Sequence, residues 1–198
     1  MLIRDAFKNW ESEIKPLVIE QYSEDDTVAL SESWNDYTDS LCKDGELTDL
    51  QYHYCPAFDD TIPDDEDDER EYILKAMGVR LEWKQYANRT DNIGDWQPEA
   101  RHFKFSIIRG SGAVISGWYS QGSAHKAPPT LQDVISCLLM DTSDIEQDFE
   151  DWASDLGFDP DSRKAEKMFK ACQKTGEDLE RMFGVQELED MRTMFEDY

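Results

Sequence analysis

Three histidines and four cysteines are all that this 198-residue chain has of the side chains that most often ligate metals or attack substrates. The cysteines stand at 42, 55, 137 and 172, with no CxxC and no close metal-ligand spacing. A thiolate zinc site is therefore not expected, and buried free thiols in a reducing cytosol are the simplest expectation. The chain contains no P-loop, no GxGxxG, no HExxH and no GxSxG, so no nucleotide, zinc or nucleophile-elbow chemistry is indicated. Asp64 to Asp68 lacks the EF-hand spacing with its glycine and terminal glutamate. No cofactor, no metal and no catalytic residue is expected. His102, on a strand, is expected as a surface residue and not a general base; His53 lies in the N-terminal arm, and His125 in a loop with no nucleophile motif beside it. No apolar run reaches the roughly 18 residues of a membrane span. The opening MLIRDAFKNWESEIK carries acids early and no long apolar stretch, so a signal peptide is not expected. No repeat of fixed period occurs.

Basic residues are the other shortage: 20 Lys/Arg stand against 45 Asp/Glu, giving a net charge of −25 and a pI near 4.2. Phosphates would repel such a chain, so direct nucleic-acid binding is not expected and a partner with a basic surface is. The acid is not spread evenly. Residues 1–71 hold five Lys/Arg against twenty-two Asp/Glu, or −17; residues 72–127 hold eight against four, or +4; residues 128–198 hold seven against nineteen, or −12.

What is present argues for a folded protein. Hydrophobic residues make up 39%, with six Trp, eight Tyr and nine Phe, whereas disordered acidic chains are poor in aromatics. Alternation appears only between Val79 and Tyr119. Val79, Leu81 and Trp83 form one set, Phe103, Phe105 and Ile107 a second, Val114 and Trp118 a third. Residues 109–112, Arg-Gly-Ser-Gly, read as a hairpin connection. The expected fold is α+β: a three-stranded antiparallel sheet over 79–120, covered by the helix that Thr130 and Asp133 cap. The regions are an acidic helical one, 1–71, and an α+β one, 72–198.

Elsewhere the period is helical. Ile3, Phe7, Trp10, Ile14, Leu17 and Val18 mark a first helix, which Pro16 should kink or split. Ser23 is placed as the cap of a second, with Leu30, Trp34, Tyr37 and Leu41 inward and Gly45 as its stop. Residues 59–71, DDTIPDDEDDERE, are expected to be mobile and solvated. Ser143 with Glu146 is placed as the capping box of a helix over 144–156, with Ile145, Phe149, Trp152 and Leu156 inward.

On that last helix Asp144, Asp148, Asp151 and Asp155 fall at i, i+4, i+7 and i+11. Like charges so spaced cost a helix roughly 0.2–0.5 kcal/mol per pair. A solvated face is the ordinary explanation; the functional one is imitation of a phosphate ladder, since neighbours on a helix lie about 5–6 Å apart. Glu146 and Glu150 stand beside that row, and Asp64, Asp65, Glu66, Asp67 and Asp68 are expected to add long-range attraction.

Two stretches resemble known sequences. Residues 34–56, WNDYTDSLCKDGELTDLQYHYCP, resemble segments of small uncharacterised proteins of phages and mobile genetic elements. SQGSAHKAPPTLQDVISCLL with FEDWASDLGFDPDSRKAEKMFKAC, within residues 120–172, is similar to a second group from the same sources. The resemblance implies phage or prophage origin and supplies no catalytic residue. In charge alone the chain resembles the DNA mimics that block restriction enzymes or CRISPR effectors. The expected function is non-enzymatic inhibition, in the host cytoplasm, of a basic nucleic-acid-binding defence protein. The alternatives are an acidic interaction module that binds a basic partner without mimicry, and an enzyme without a recognisable motif.

Overall fold

The fold is α+β, with helices and one three-stranded antiparallel sheet in the order β1-β2-β3. A computed structural model describes residues 1–89, 99–110 and 112–195. The chain forms two compact units, Met1–Met77 and Gly78–Tyr198.

In the first unit α1 (Ile3–Asn9) runs into a π-helical turn, Trp10–Ile14, and then α2 (Lys15–Gln21). Pro16 sits in the first turn of α2. Proline has no N–H to donate back one turn, and the wider π winding just before it absorbs the break, so the helix is split as expected. α3 (Thr27–Lys43) starts later than Ser23. Residues 23–26 form a turn, with Asp26 N–H donating to the Ser23 carbonyl at 3.3 Å, and the Asp26 carboxylate caps Ala29 N–H at 3.0 Å. Asp26, not Ser23, is the cap, because the turn pulls the preceding residues away from the helix axis. Gly45, at φ 75°, ends α3 and lets Glu46 N–H reach back to the Leu41 carbonyl at 2.8 Å.

α4 (Asp49–His53) opens on a full capping box between Thr48 and Gln51. Phe7, Trp10 and Trp34 meet in a cluster, with Trp34 edge-on to both other rings at 5.4 and 5.6 Å. Each indole N–H is satisfied: Trp10 donates to Ser33 Oγ at 2.8 Å and Trp34 to the Pro56 carbonyl at 2.9 Å. α5 (Glu66–Ala76) closes the unit. It spans the change in charge at residue 71 and belongs whole to the acidic unit.

In the second unit β1 (Val79–Tyr86), β2 (Arg101–Arg109) and β3 (Ala113–Gln121) pair in register, Val79 opposite Arg109 and Arg109 opposite Ala113. Phe103, Phe105 and Ile107 are buried, as their alternation requires. β3 differs from expectation. Ile115 lies opposite Ile107 and is buried; Val114 and Trp118 lie opposite Ile108 and Lys104, on the other face. Pairing with β2 sets which parity of β3 points inward, and Val114 and Trp118 have the other parity. Gly117 stands opposite Phe105, whose ring would lie 2.8 Å from a Cβ there.

α6 (Leu131–Asp141) has the expected Thr130–Asp133 capping box, and α8 (Arg163–Phe183) runs against β3 beside it. α7 (Phe149–Asp155) packs on α8 through Trp152, Phe149 and Phe169, with the Trp152 and Phe169 rings 5.2 Å apart. α9 (Val185–Phe195) follows Gly184. Arg109 ties the sheet to these last helices: its guanidinium donates to both Glu187 oxygens at 2.5 and 3.1 Å and to the Met182 carbonyl at 3.0 Å. Among the described residues no helix is long and apolar enough to cross a membrane.

Candidate interaction surfaces

The run expected to be mobile builds the start of α5. Asp65 is its N-cap, accepting from Asp68 N–H at 2.9 Å, and Glu66, Asp67, Asp68 and Glu69 make its first turn. Acids there answer the unpaired N–H groups and the positive end of the helix dipole, worth about 0.3–1 kcal/mol each. This is why the second half of the run, from Glu66 on, is helical, while residues 59–65 lie outside any helix. Arg70 reaches back one turn to Glu66 and lies 3.6 Å from Asp67. Asp64 precedes the cap, and Arg4 donates to its backbone carbonyl. Asp64, Asp65, Glu66, Asp67 and Asp68 are all exposed.

Glu69, in the same run, points the other way and is 1% exposed. Its carboxylate accepts from Ile3 N–H at 2.7 Å and from Gln51 Nε2 at 2.6 Å. It thereby caps α1, whose own cap position, Leu2, offers no side-chain acceptor. Gln51 is held for this by Thr48 N–H, which donates to its Oε1 at 2.9 Å. Burial raises the Glu69 pKa above the ordinary glutamate range, against the pull of its two hydrogen bonds. Burial also pushes the neighbouring Cys55 thiol up to about 12, with Glu69 adding to the effect, so this sulfur is a poor nucleophile. A glutamate within the acidic run is thus a structural anchor, a role no spacing in the sequence singles out.

The second predicted acidic surface is rearranged. The helix expected over 144–156 is confined to Phe149–Asp155. Asp148 is its cap, accepting from Glu150 and Asp151 N–H, both at 3.0 Å. Asp144 lies in the turns before it, taking a hydrogen bond from Ser143 Oγ at 3.1 Å. The Ser143–Glu146 capping box is absent, and Leu156, expected inward, is 55% exposed. Ser and Asp bind nearby backbone groups in preference to extending a helix, so the segment breaks into turns until Asp148 can cap. Asp144, Asp148, Asp151 and Asp155 therefore do not form one helical ladder. Glu146, Glu150, Asp151 and Asp155 remain exposed. Ile145 holds the turns to α8, its Cδ1 filling the place where Gly176 lacks a side chain.

A row with the predicted spacing does exist, with the opposite sign. Arg163, Lys167, Lys170 and Lys174 lie at i, i+4, i+7 and i+11 on α8 and are exposed. Lys170 pairs with Glu166 at 2.6 Å and Lys174 with Asp178 at 2.5 Å. Lys170 holds the Glu166 carboxyl below its usual range, and Lys174 and Arg181 do the same for Asp178. The sequence carries this row as plainly as the aspartates; weighing only the net charge of 128–198 concealed it.

All four cysteines are free and half-buried. Burial pushes Cys137 to about 12 and Cys172 to about 11, with Asp141 adding to both. His53 and His125 are exposed. His102, expected at the surface, is 3% exposed, its Nδ1 3.0 Å from Ser120 Oγ. The two lie opposite each other on β2 and β3, with Tyr86 of β1 opposite His102 on the other side. Among the described residues no cluster of three or more His, Cys, Asp or Glu is placed to hold a metal ion. No protein-family model, curated protein or solved structure matches the chain.

Proposed function

We propose that this chain is a phage-encoded, non-enzymatic inhibitor that acts in the host cytoplasm as an acidic DNA mimic. Its target is a basic nucleic-acid-binding defence protein, a CRISPR effector or a restriction enzyme. The observation that carries this reading is the anchored acidic start of α5. Asp64, Asp67 and Asp68 project from a helix end fixed by the Asp65 cap and by Glu69 buried beneath. Carboxylates already held in place lose little ordering entropy on binding. The unit that bears them has six Lys/Arg against twenty-two Asp/Glu. A field of one sign on this scale speeds encounter with a basic cleft.

The start of α5 takes the contact role expected of Asp144, Asp148, Asp151 and Asp155. The 144–155 segment becomes a secondary acidic surface, through Asp144, Glu146, Glu150, Asp151 and Asp155. Both act over distances limited to about 8 Å by physiological salt.

The test is capture of partners from host lysate, followed by displacement with duplex DNA. A mimic is displaced; a module that binds elsewhere on a basic partner is not. Changing Asp64, Asp67 and Asp68 to Asn spares the cap and the nearer Arg70 partner, Glu66, and removes only the Asp67 charge 3.6 Å from Arg70. That triple change should weaken binding tenfold or more, about 1.4 kcal/mol, and flatten its salt dependence. Neutralising Asp144, Glu146 and Asp151 should cost less. Recovery of only metabolic enzymes, or duplex DNA that fails to compete, overturns the reading.

A further inference from the structure

β1 is an eight-residue strand at the edge of the sheet. Among the described residues it pairs with β2 alone, and every side chain from Glu82 to Tyr86 is exposed. Trp83 stands on the same face as buried Phe103, edge-on to it at 5.3 Å, yet is 43% exposed. An uncovered edge is a template for another strand, and charges along it decide which strand fits.

The charges on β1 are Arg80, Glu82 and Lys84. Antiparallel neighbours pair residues of like orientation, so a strand meeting its own copy about a two-fold axis must centre on a residue. Centring on Glu82 sets Glu82 against itself and Arg80 against Lys84. Centring on Lys84 sets two lysines together. Centring on Leu81 matches Arg80 with Glu82 but uses only residues 79–83. Centring on Trp83 uses residues 80–86. It sets Glu82 against the second copy's Lys84 twice, Arg80 against its Tyr86 twice, and Trp83 against Trp83. Opposite charges and aromatics directly across are the favourable cross-strand pairs.

Net charge points to the same place. Two chains of −25 repel each other, and residues 72–127, with eight Lys/Arg against four Asp/Glu, are where they approach at least cost. We propose that two copies of this chain join edge to edge through β1, antiparallel and centred on Trp83, to make one continuous sheet. This does not rest on the inhibitor reading.

The experiment is molecular mass against concentration, by sedimentation, for the full chain and three variants. Glu82→Lys and Lys84→Glu each put like charges opposite at two symmetric places, and each should raise the dimer dissociation constant about tenfold or more. The double variant, Glu82→Lys with Lys84→Glu, restores opposite pairing and should restore the dimer. Circular dichroism of each variant checks the fold. Independently, Trp83→Cys should give a disulfide-linked dimer on mild oxidation, because residues paired across antiparallel strands lie within disulfide reach. Gln85→Cys, which meets Leu81, should not. A wild-type chain that stays monomeric at millimolar concentration overturns the proposal. So do folded single variants that dimerise like wild type, or cross-linking at Gln85 and not at Trp83.

Discussion

The acidic segments 64–68 and 144–155 meet different fates: the first is all Asp and Glu, while the second interleaves six acids with residues such as Ile145, Phe149 and Trp152. In the first, capped acids gather at a helix N-terminus where backbone N–H groups and dipole favour them, and Glu69 is drawn into the core. In the second, Asp148 also caps, but Asp144 and Glu146 fall in turns before the helix begins. Charge per residue therefore says little about order. What decides is where each carboxylate stands relative to a helix end, and whether a neighbour holds it.

The largest expected effect comes from removing the anchor. Glu69→Ala orphans Ile3 N–H and takes one of the two bonds that Gln51 Nε2 donates, leaving the one to the Met1 carbonyl at 3.0 Å; an orphaned buried donor costs about 1–3 kcal/mol, so a loss of about 2–3 kcal/mol is expected. Denaturant unfolding followed by hydrogen exchange should place that loss in Met1–Met77, leaving exchange in the sheet unchanged. An unchanged melting profile would remove the distinction between the two acidic segments.

Ile145→Ala takes away the apolar contact that holds the second segment's turns to α8. A half-buried Ile loses less than a core one, so about 1–2 kcal/mol is expected. Amide exchange should quicken over 143–147 well before it does in α7. Equal loosening of both would mean that the turns and the helix move as one body.

The caps should cost alike. Asp65→Ala and Asp148→Ala are each expected to destabilise by about 1 kcal/mol, and the Asn versions by much less, because Asn caps as well as Asp. Thermal melts of the four variants check this. A difference between Asp148→Ala and Asp148→Asn no larger than error would show that the cap contributes nothing to α7.

The smallest effect is in pH. The folded-state pKa of Glu69 is raised by burial, so between the ordinary glutamate range and that raised value the folded chain holds more protons than the unfolded one. Its contribution is greatest at low pH and declines as pH rises through this window. Wild-type stability minus that of Glu69→Gln should therefore fall with rising pH. Asp141, raised by burial as well, gives the second unit a slope of the same sign that Asp141→Asn removes. A difference that grows with pH would mean the two hydrogen bonds outweigh burial at Glu69.

Much of this was legible one element at a time. Helical period placed Leu30, Trp34 and Leu41 inward, alternation placed Phe103, Phe105 and Ile107, and Thr130 with Asp133 marked a helix start; all are so in the structure. These signals are local, set by the repeat of the backbone and by side chains reaching their own main chain. Readings failed where the deciding partner is distant or the local choice is close, as at Ser23, at Val114 with Trp118, and over 144–156. Ser23 lost the cap to Asp26, because two nearby residues can each cap and only the turn between them chooses. Val114 and Trp118 lost the inner face to Ile115, because pairing with β2 set the parity. The helix over 144–156 shortened because Asp148 capped and Ile145 was taken by Gly176 of α8.

By itself the sequence determined the α+β class, the placing of strands and most helices, and a charge uneven enough to separate acidic ends from a mildly basic sheet. These depend on residue type and period, which a chain carries before it folds. Only the tertiary structure decided which carboxylates are surface and which are framework. Asp68 and Glu69 are adjacent and both acidic, but one faces water and the other is closed under Ile3 and Gln51. A carboxylate's role follows from the donors brought to it, and those donors lie 18 and 66 residues away along the chain.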